Sequence, residues 1–129
     1  MAVTHSTAAR NAATDAVLAL ISTSGNLVFR LTGTVGSPGT SVATLPFSAT
    51  AFGASSTGTA TANTITSDTN ATGNASPVAT ATFQTSGATV VLQCAVAASA
   101  SDINMSNGLT IASGDTVSCS SLTYTALSA

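Results

Sequence analysis

Residues 79–96 read ATATFQTSGATVVLQCAV, and this stretch decides the fold class. Ala79, Ala81 and Phe83 alternate with Thr80, Thr82 and Gln84, the period of two that places successive side chains on opposite faces of a strand. After the turn pair Ser86-Gly87, Val90, Leu92, Cys94 and Val96 alternate with Thr89, Val91, Gln93 and Ala95. Two such runs around a short glycine-containing turn predict an antiparallel hairpin.

Strand patterning continues on both sides of the hairpin. Downstream, Leu109 and Ile111 share one face of a short predicted strand, Ser113-Gly114-Asp115 forms a turn, and Thr116 to Leu127 predicts a long final strand. Its apolar phase passes from Val117 and Cys119 to Leu122, Tyr124 and Ala126, a one-residue shift that predicts a β-bulge near Ser120-Ser121. Upstream, Asn26 to Leu31 favours a strand, and Gly33, Gly36, Pro38 and Gly39 mark a loop. Ser41 to Ser48 alternates, with Ala43, Leu45 and Phe47 on one face; Pro46 within it predicts an edge strand or a bulge. Residues 51–74 are mostly Ala, Thr, Ser, Gly and Asn, and read as loop with a short strand around Ala60 to Thr66.

Only the N-terminal segment has a helical period. Ala8, Ala12, Ala16 and Leu20 recur at steps of four beside Ala9, Ala13, Val17 and Ile21, which lays an apolar stripe along a helix from Ala8 to Ile21. Thr4, Ser6 and Thr7 offer N-cap hydroxyls, and Ser24-Gly25 a stop with Gly25 suited to a left-handed C′ position. The expected fold is mainly β, an antiparallel β-sandwich or barrel with one N-terminal α-helix. The chain reads as a single compact domain, with an arm and helix over 1–24 and the β-sandwich over 25–129.

Charged residues are 5% of the 129, where an ordinary soluble domain carries about 25%. There is no Lys, Glu or Trp; Arg10 and Arg30 are the cations, and Asp15, Asp68, Asp102 and Asp115 the anions. A surface of hydroxyls and amides can be buried against another subunit without stripping water from ions, so the composition points to assembly. A net charge of −2 with two cations supplies no basic patch for nucleic acid. No run approaches the roughly 20 apolar residues of a membrane-spanning helix. Ala16 to Ile21 has no basic segment before it, so no signal peptide is read there and folding in a cytosol is expected. In that reducing setting Cys94 and Cys119, both in strand-like runs, are expected as small buried thiols rather than a bridge.

The residues of chemistry are sparse. His5 is the single imidazole and lies in the N-terminal arm; nothing in the spacing places Asp15 and a serine around it. The aspartates stand singly, with no calcium-loop spacing, and Asp115 fits turn chemistry. Two cysteines and a distant histidine do not make a zinc site, and Gly33, Gly36 and Gly39 lack both the dinucleotide-loop spacing and the lysine of a phosphate loop. Asn70-Ala71-Thr72 and Asn74-Ala75-Ser76 match a glycosylation acceptor pattern that a chain this rich in Ser and Thr meets by chance. No catalytic, cofactor-binding or metal residue is assigned, and the chain is not expected to be an enzyme.

Several stretches resemble a family of small virion structural proteins of tailed bacteriophages: THSTAARNAATDAVLALI (4–21), GNLVFRLTG (25–33), VATLPFSATAFG (42–53), GTATANTITSDTNATG (58–73) and LTIASGDTVSCSSLTYTA (109–126). They run in order along nearly the whole chain. The resemblance implies a capsid decoration, or cement, protein that is β-rich and homotrimeric, partnered by the major capsid protein and seated on the capsid surface of the virion after assembly in the host cytoplasm. A tail or head-fibre component is the alternative within the class. A host- or carbohydrate-binding module is a further one, weakened by the lack of Trp and by a single Tyr. The expected interface runs along Ala9, Ala13, Ala16, Val17 and Leu20, and around Phe47 and Phe52, with the subunit's own core as the competing role for each.

Overall fold

The computed structural model describes residues 3–21 and 23–127. Met1, Ala2, Ser22, Ser128 and Ala129, which belong to the expected arm, the end of the helix segment and the C-terminus, lie outside the described residues. The chain is mainly β with one helix, in the order α1 (Thr7–Ala19), β1 (Asn26–Arg30), β2 (Ser41–Pro46), β3 (Thr59–Thr61), β4 (Thr80–Gln84), β5 (Val90–Ala97), β6 (Ile103–Asn104) and β7 (Thr123–Thr125). A five-stranded sheet has the order β2-β1-β4-β5-β6, antiparallel except for the β5–β6 pair, and β3 and β7 form a second, two-stranded antiparallel sheet.

The predicted hairpin is the centre of the large sheet. Ala81 faces Cys94, and Phe83 faces both Leu92 and Leu27, so the apolar phases of β1, β4 and β5 fall on one side. There Phe47, Phe52 and Phe83 meet with ring centroids 5.7–5.8 Å apart, and Tyr124 of β7 lies 6.4 Å from Phe83. The small sheet thereby closes over the inner face of the large one. Leu18 of the helix and Ile21 just after it join the same buried cluster, which ties the N-terminal segment to the β part through one core.

The outer face of the large sheet is polar yet largely covered. Thr82 is 0% exposed and Gln84 6%. Arg30 lies across them, donating from Nε to Thr82 Oγ1 (3.0 Å), from one terminal nitrogen to Gln84 Oε1 (2.8 Å) and from the other to the Gly39 carbonyl (2.9 Å). The glycine-rich loop folds onto this layer, and Gln93 Nε2 donates to the Gly33 carbonyl at 2.9 Å. A Cβ on Gly33 would lie 2.1 Å from the Gly39 nitrogen, so the two arms of the loop approach closely only because both lack side chains.

Pro46 ends an edge strand, as its missing N–H requires, and its carbonyl accepts from Thr66 N at 2.9 Å. Four expectations need correction. Leu109 and Ile111 form no strand; their carbonyls accept single backbone bonds from Val78 and Asn74. The long final strand is instead two pieces: Val117 bridges Asp68, and Thr123–Thr125 pairs with β3. The phase shift near Ser120-Ser121 is therefore a change of partner rather than a bulge, which lets Val117 and Leu122 both point inward. At the end of the helix, Ser24 takes the left-handed conformation (φ 59°), whereas a Cβ on Gly25 would meet Ile21 Cγ2 at 2.4 Å and the Gln84 carbonyl at 2.6 Å. Gly25 is thus required by packing rather than as a C-cap.

Candidate interaction surface

Ser6 caps the helix, its Oγ accepting from Ala9 N at 3.2 Å. The helix then docks through its polar residues. Asn11 Oδ1 accepts from Gly58 N (2.7 Å), Thr14 Oγ1 donates to the Gly58 carbonyl (2.5 Å) and accepts from Ala126 N (3.1 Å), and Asp15 accepts from Ser55 N (3.1 Å). Arg10 adds a bond to the Thr57 carbonyl at 3.2 Å. Asn11, Thr14, Leu18 and Ile21 fall at i+3/i+4 steps, so the inward face is half polar and half apolar, and only Thr14 and Leu18 are buried within the helix itself.

The alanine stripe consequently faces out. Ala8, Ala9, Ala12, Ala16 and Ala19 are exposed, and Leu20 is 63% exposed. Of the expected interface residues, Ala9, Ala16 and Leu20 are open, and Ala13 and Val17 are half-buried at the margin. Phe47 and Phe52 are different. They are 4% and 7% exposed and stacked inside the subunit's own core, with Phe52 also bordering a shallow cleft. The core role, which competes with the interface role for each of these residues, describes both rings, and the small residues flanking Phe52 allow its ring to turn inward. Beside the stripe, Asp15, Leu18, Ala19 and residues 49–54 line a shallow cleft of about 350 Å³. Its rim carries one charge, the Asp15 carboxylate already engaged with Ser55 N.

A larger cleft of about 630 Å³ opens between residues 102–108 and 115–123 and reaches Phe29. Its two carboxylates each hold backbone: Asp102 accepts from Ala95 N (3.0 Å), and Asp115 from Ala112 N (2.9 Å), the latter making the predicted turn. Asp68 does the same for Thr44 N and Asn70 N at 2.9 and 3.0 Å. All four aspartates thus act as acceptors for main-chain donors, which accounts for their scattered spacing. Cys119 lines this cleft and Cys94 lies on β5 opposite Ala81; both are free thiols. Burial, with Asp102 nearby, pushes Cys94 up to about 11, and burial raises Cys119 despite a bond to the Ser121 carbonyl. Both shifts favour the protonated thiol over the reactive thiolate. Among the described residues no three of His, Cys, Asp and Glu gather as metal ligands, and no helix is long and apolar enough to cross a membrane.

Comparison of the chain with protein-family models, curated proteins and solved structures finds no match in any of the three.

Proposed function

We propose that this chain is a non-enzymatic structural subunit of a tailed-phage virion, a capsid decoration protein that bridges copies of the major capsid protein on the head shell. The observation that carries the reading is the outward-facing stripe Ala8–Ala12–Ala16–Leu20 on a helix held rigidly from behind by Asn11, Thr14 and Asp15. A continuous exposed apolar strip that the fold does not need marks an interaction surface. Alanine lets two backbones approach closely, and the surface around the strip is mostly hydroxyls and amides, with the Asp15 carboxylate beside it already accepting from Ser55 N, so covering the strip strips little water from ions. The mechanism is mechanical: apolar area buried across a seam, at about 25 cal/mol per Å², resists separation of the shell subunits. The sequence resemblance to small phage virion proteins supports the same reading, and it favours a homotrimer as the bound form.

Quantitative mass spectrometry of purified virions tests it. A copy number comparable with that of the major capsid protein is expected. A few copies per virion would move the chain to the tail or a head fibre, and its absence from virions would overturn the structural reading.

A further inference from the structure

The chain carries seven asparagines, and one of them, Asn107, is followed by glycine. The order matters because the backbone nitrogen after an asparagine can attack that residue's own side-chain amide. A glycine there adds no Cβ to obstruct the approach and leaves the chain free to rotate.

The fold holds the other six in place. Asn11 Oδ1 accepts from Gly58 N (2.7 Å), Asn74 Oδ1 from Ser76 N (2.9 Å) and Asn104 Oδ1 from Ser101 N (3.0 Å), while Asn63 Nδ2 donates to the Thr50 carbonyl (2.7 Å). Asn26 lies in β1 before Leu27, which is 0% exposed. Asn70 is exposed, but the nitrogen after it, Ala71 N, donates to the Asp115 carbonyl at 3.0 Å.

Asn107 differs at each point. It is exposed in the turn Met105–Gly108, outside every strand, and its side chain makes no hydrogen bond among the described residues. Gly108 N reaches the Met105 carbonyl only at 3.4 Å, the longest of the turn and loop backbone bonds. Gly108 has φ 110°, and a Cβ built on it would meet nothing within 4 Å, so that side of the glycine is uncrowded.

We propose that Asn107-Gly108 is a site of spontaneous covalent modification, at which the Asn107 amide is lost and an aspartyl or isoaspartyl residue replaces it. The Gly108 nitrogen gives its proton to hydroxide and attacks Asn107 Cγ. The new N–Cγ bond closes a cyclic imide as the Cγ–Nδ2 bond breaks, and ammonia leaves with a proton taken from water. A second water then adds to one imide carbonyl, and the bond from that carbon to nitrogen breaks. Opening at Cγ gives aspartate; opening at the backbone carbonyl gives isoaspartate, whose main chain runs through the side-chain methylene. Either product adds a carboxylate to the wall of the larger cleft, beside Asp102 and Asp115. The isoaspartyl chain also gains a methylene between two anchored points, Met105 N on the Ala97 carbonyl (2.8 Å) and the Leu109 carbonyl on Val78 N (2.9 Å). This chemistry needs no partner and is independent of the shell role proposed above.

The purified full-length chain, held in mildly alkaline buffer and sampled over weeks by peptide mass spectrometry, tests it. The expected result is a gain of about 1 Da confined to the peptide containing Asn107, with isoaspartate identified by electron-transfer fragmentation. The rate should rise with pH, because the Gly108 amide must lose its proton. It should also lie within about tenfold of the rate in denaturant, because the turn leaves the glycine free. In the isoaspartyl form the Met105 and Val78 amides should exchange faster than in the fresh chain. Gly108→Ala, compared with the parent in denaturant where its fold is immaterial, should slow the loss at least about tenfold. An Asn107 that outlasts Asn70 in the folded chain would overturn the site. A folded-chain rate more than about a hundredfold below that in denaturant would do the same, since the turn would then be holding the glycine shut.

Discussion

The hydroxyl of Thr14 donates to the Gly58 carbonyl at 2.5 Å while accepting from Ala126 N at 3.1 Å, so one buried oxygen fastens the helix to the turn before β3 and to the chain after β7. Thr14 is 0% exposed, and no water competes for either bond. Thr14→Val keeps the shape and deletes the hydroxyl, leaving a donor and an acceptor without partners. The expected loss is about 1–3 kcal/mol for each group that stays dry. Thr14→Ser keeps both bonds and should lie much closer to the parent. Urea unfolding midpoints of the two variants check this; equal midpoints would mean that water replaces the hydroxyl.

Phe52 and Leu20 are both expected at the interface, and the structure separates them. Phe52 stacks on Phe83 at 5.8 Å and contacts Phe47 at 5.7 Å, whereas Leu20 is 63% exposed. Phe52→Ala should cost about 3–5 kcal/mol, the usual penalty for emptying a buried aromatic site. Leu20→Glu should change stability by within about 0.5 kcal/mol, as a surface substitution does. It should nonetheless abolish binding to preformed capsids, because it places an unpaired charge in the proposed seam. Thermal denaturation and a capsid co-sedimentation assay separate the two effects.

The pattern behind that difference shows what the sequence makes legible. Period-two alternation located β2, β4 and β5, and a β-favouring run located β1, because the packing of their inner side chains on a shared core is written into side-chain choice. Short elements held by backbone bonds alone, such as β6 and the Val78–Leu109 contact, leave no such trace. The helix is the instructive case. Its existence follows from the spacing of alanines, but its orientation does not, because the docking face is carried by Asn11, Thr14 and Asp15 bonding to the 55–58 turn. Hydrophobic periodicity identifies the apolar side; which side turns inward depended here on polar groups whose partners lie some forty residues on.

Gly33 and Gly36 share one loop and differ sharply in what surrounds them. A Cβ at Gly33 would fall 2.1 Å from the Gly39 nitrogen and 2.8 Å from the Pro38 carbonyl carbon, all backbone, whereas at Gly36 nothing lies within 4 Å. Gly33→Ala must therefore open the loop that covers Arg30 and Gln93. The expected cost is about 1–3 kcal/mol or more, the range for forcing atoms into a filled site. Gly36→Ala has room and serves as the control, expected to be neutral. Guanidinium midpoints of the pair are the measurement, and equal values would show that the loop yields without disturbing the layer beneath.

The thiol of Cys94, donating to the Ala81 carbonyl at 3.6 Å, gives the fold a pH dependence on its alkaline side. Its folded value is pushed up to about 11 from 9.0 by burial, with Asp102 adding to the effect. In the unfolded chain the thiol releases its proton above about pH 9, while the folded chain retains it; the folded state then holds more protons and loses stability as pH rises. The contribution is complete below pH 9 and disappears progressively toward pH 11. Cys119, raised in the same direction by burial, adds to it. The urea midpoint should therefore fall between pH 8.5 and 10.5, less so in Cys94→Ala, and least when Cys119→Ala is added. At pH 8 Cys94 in the folded chain should be alkylated by iodoacetamide at least about tenfold more slowly than in denaturant, because thiolate rather than thiol reacts. A fast-reacting Cys94 in the folded chain would show that its site is open to solvent and that the burial argument fails.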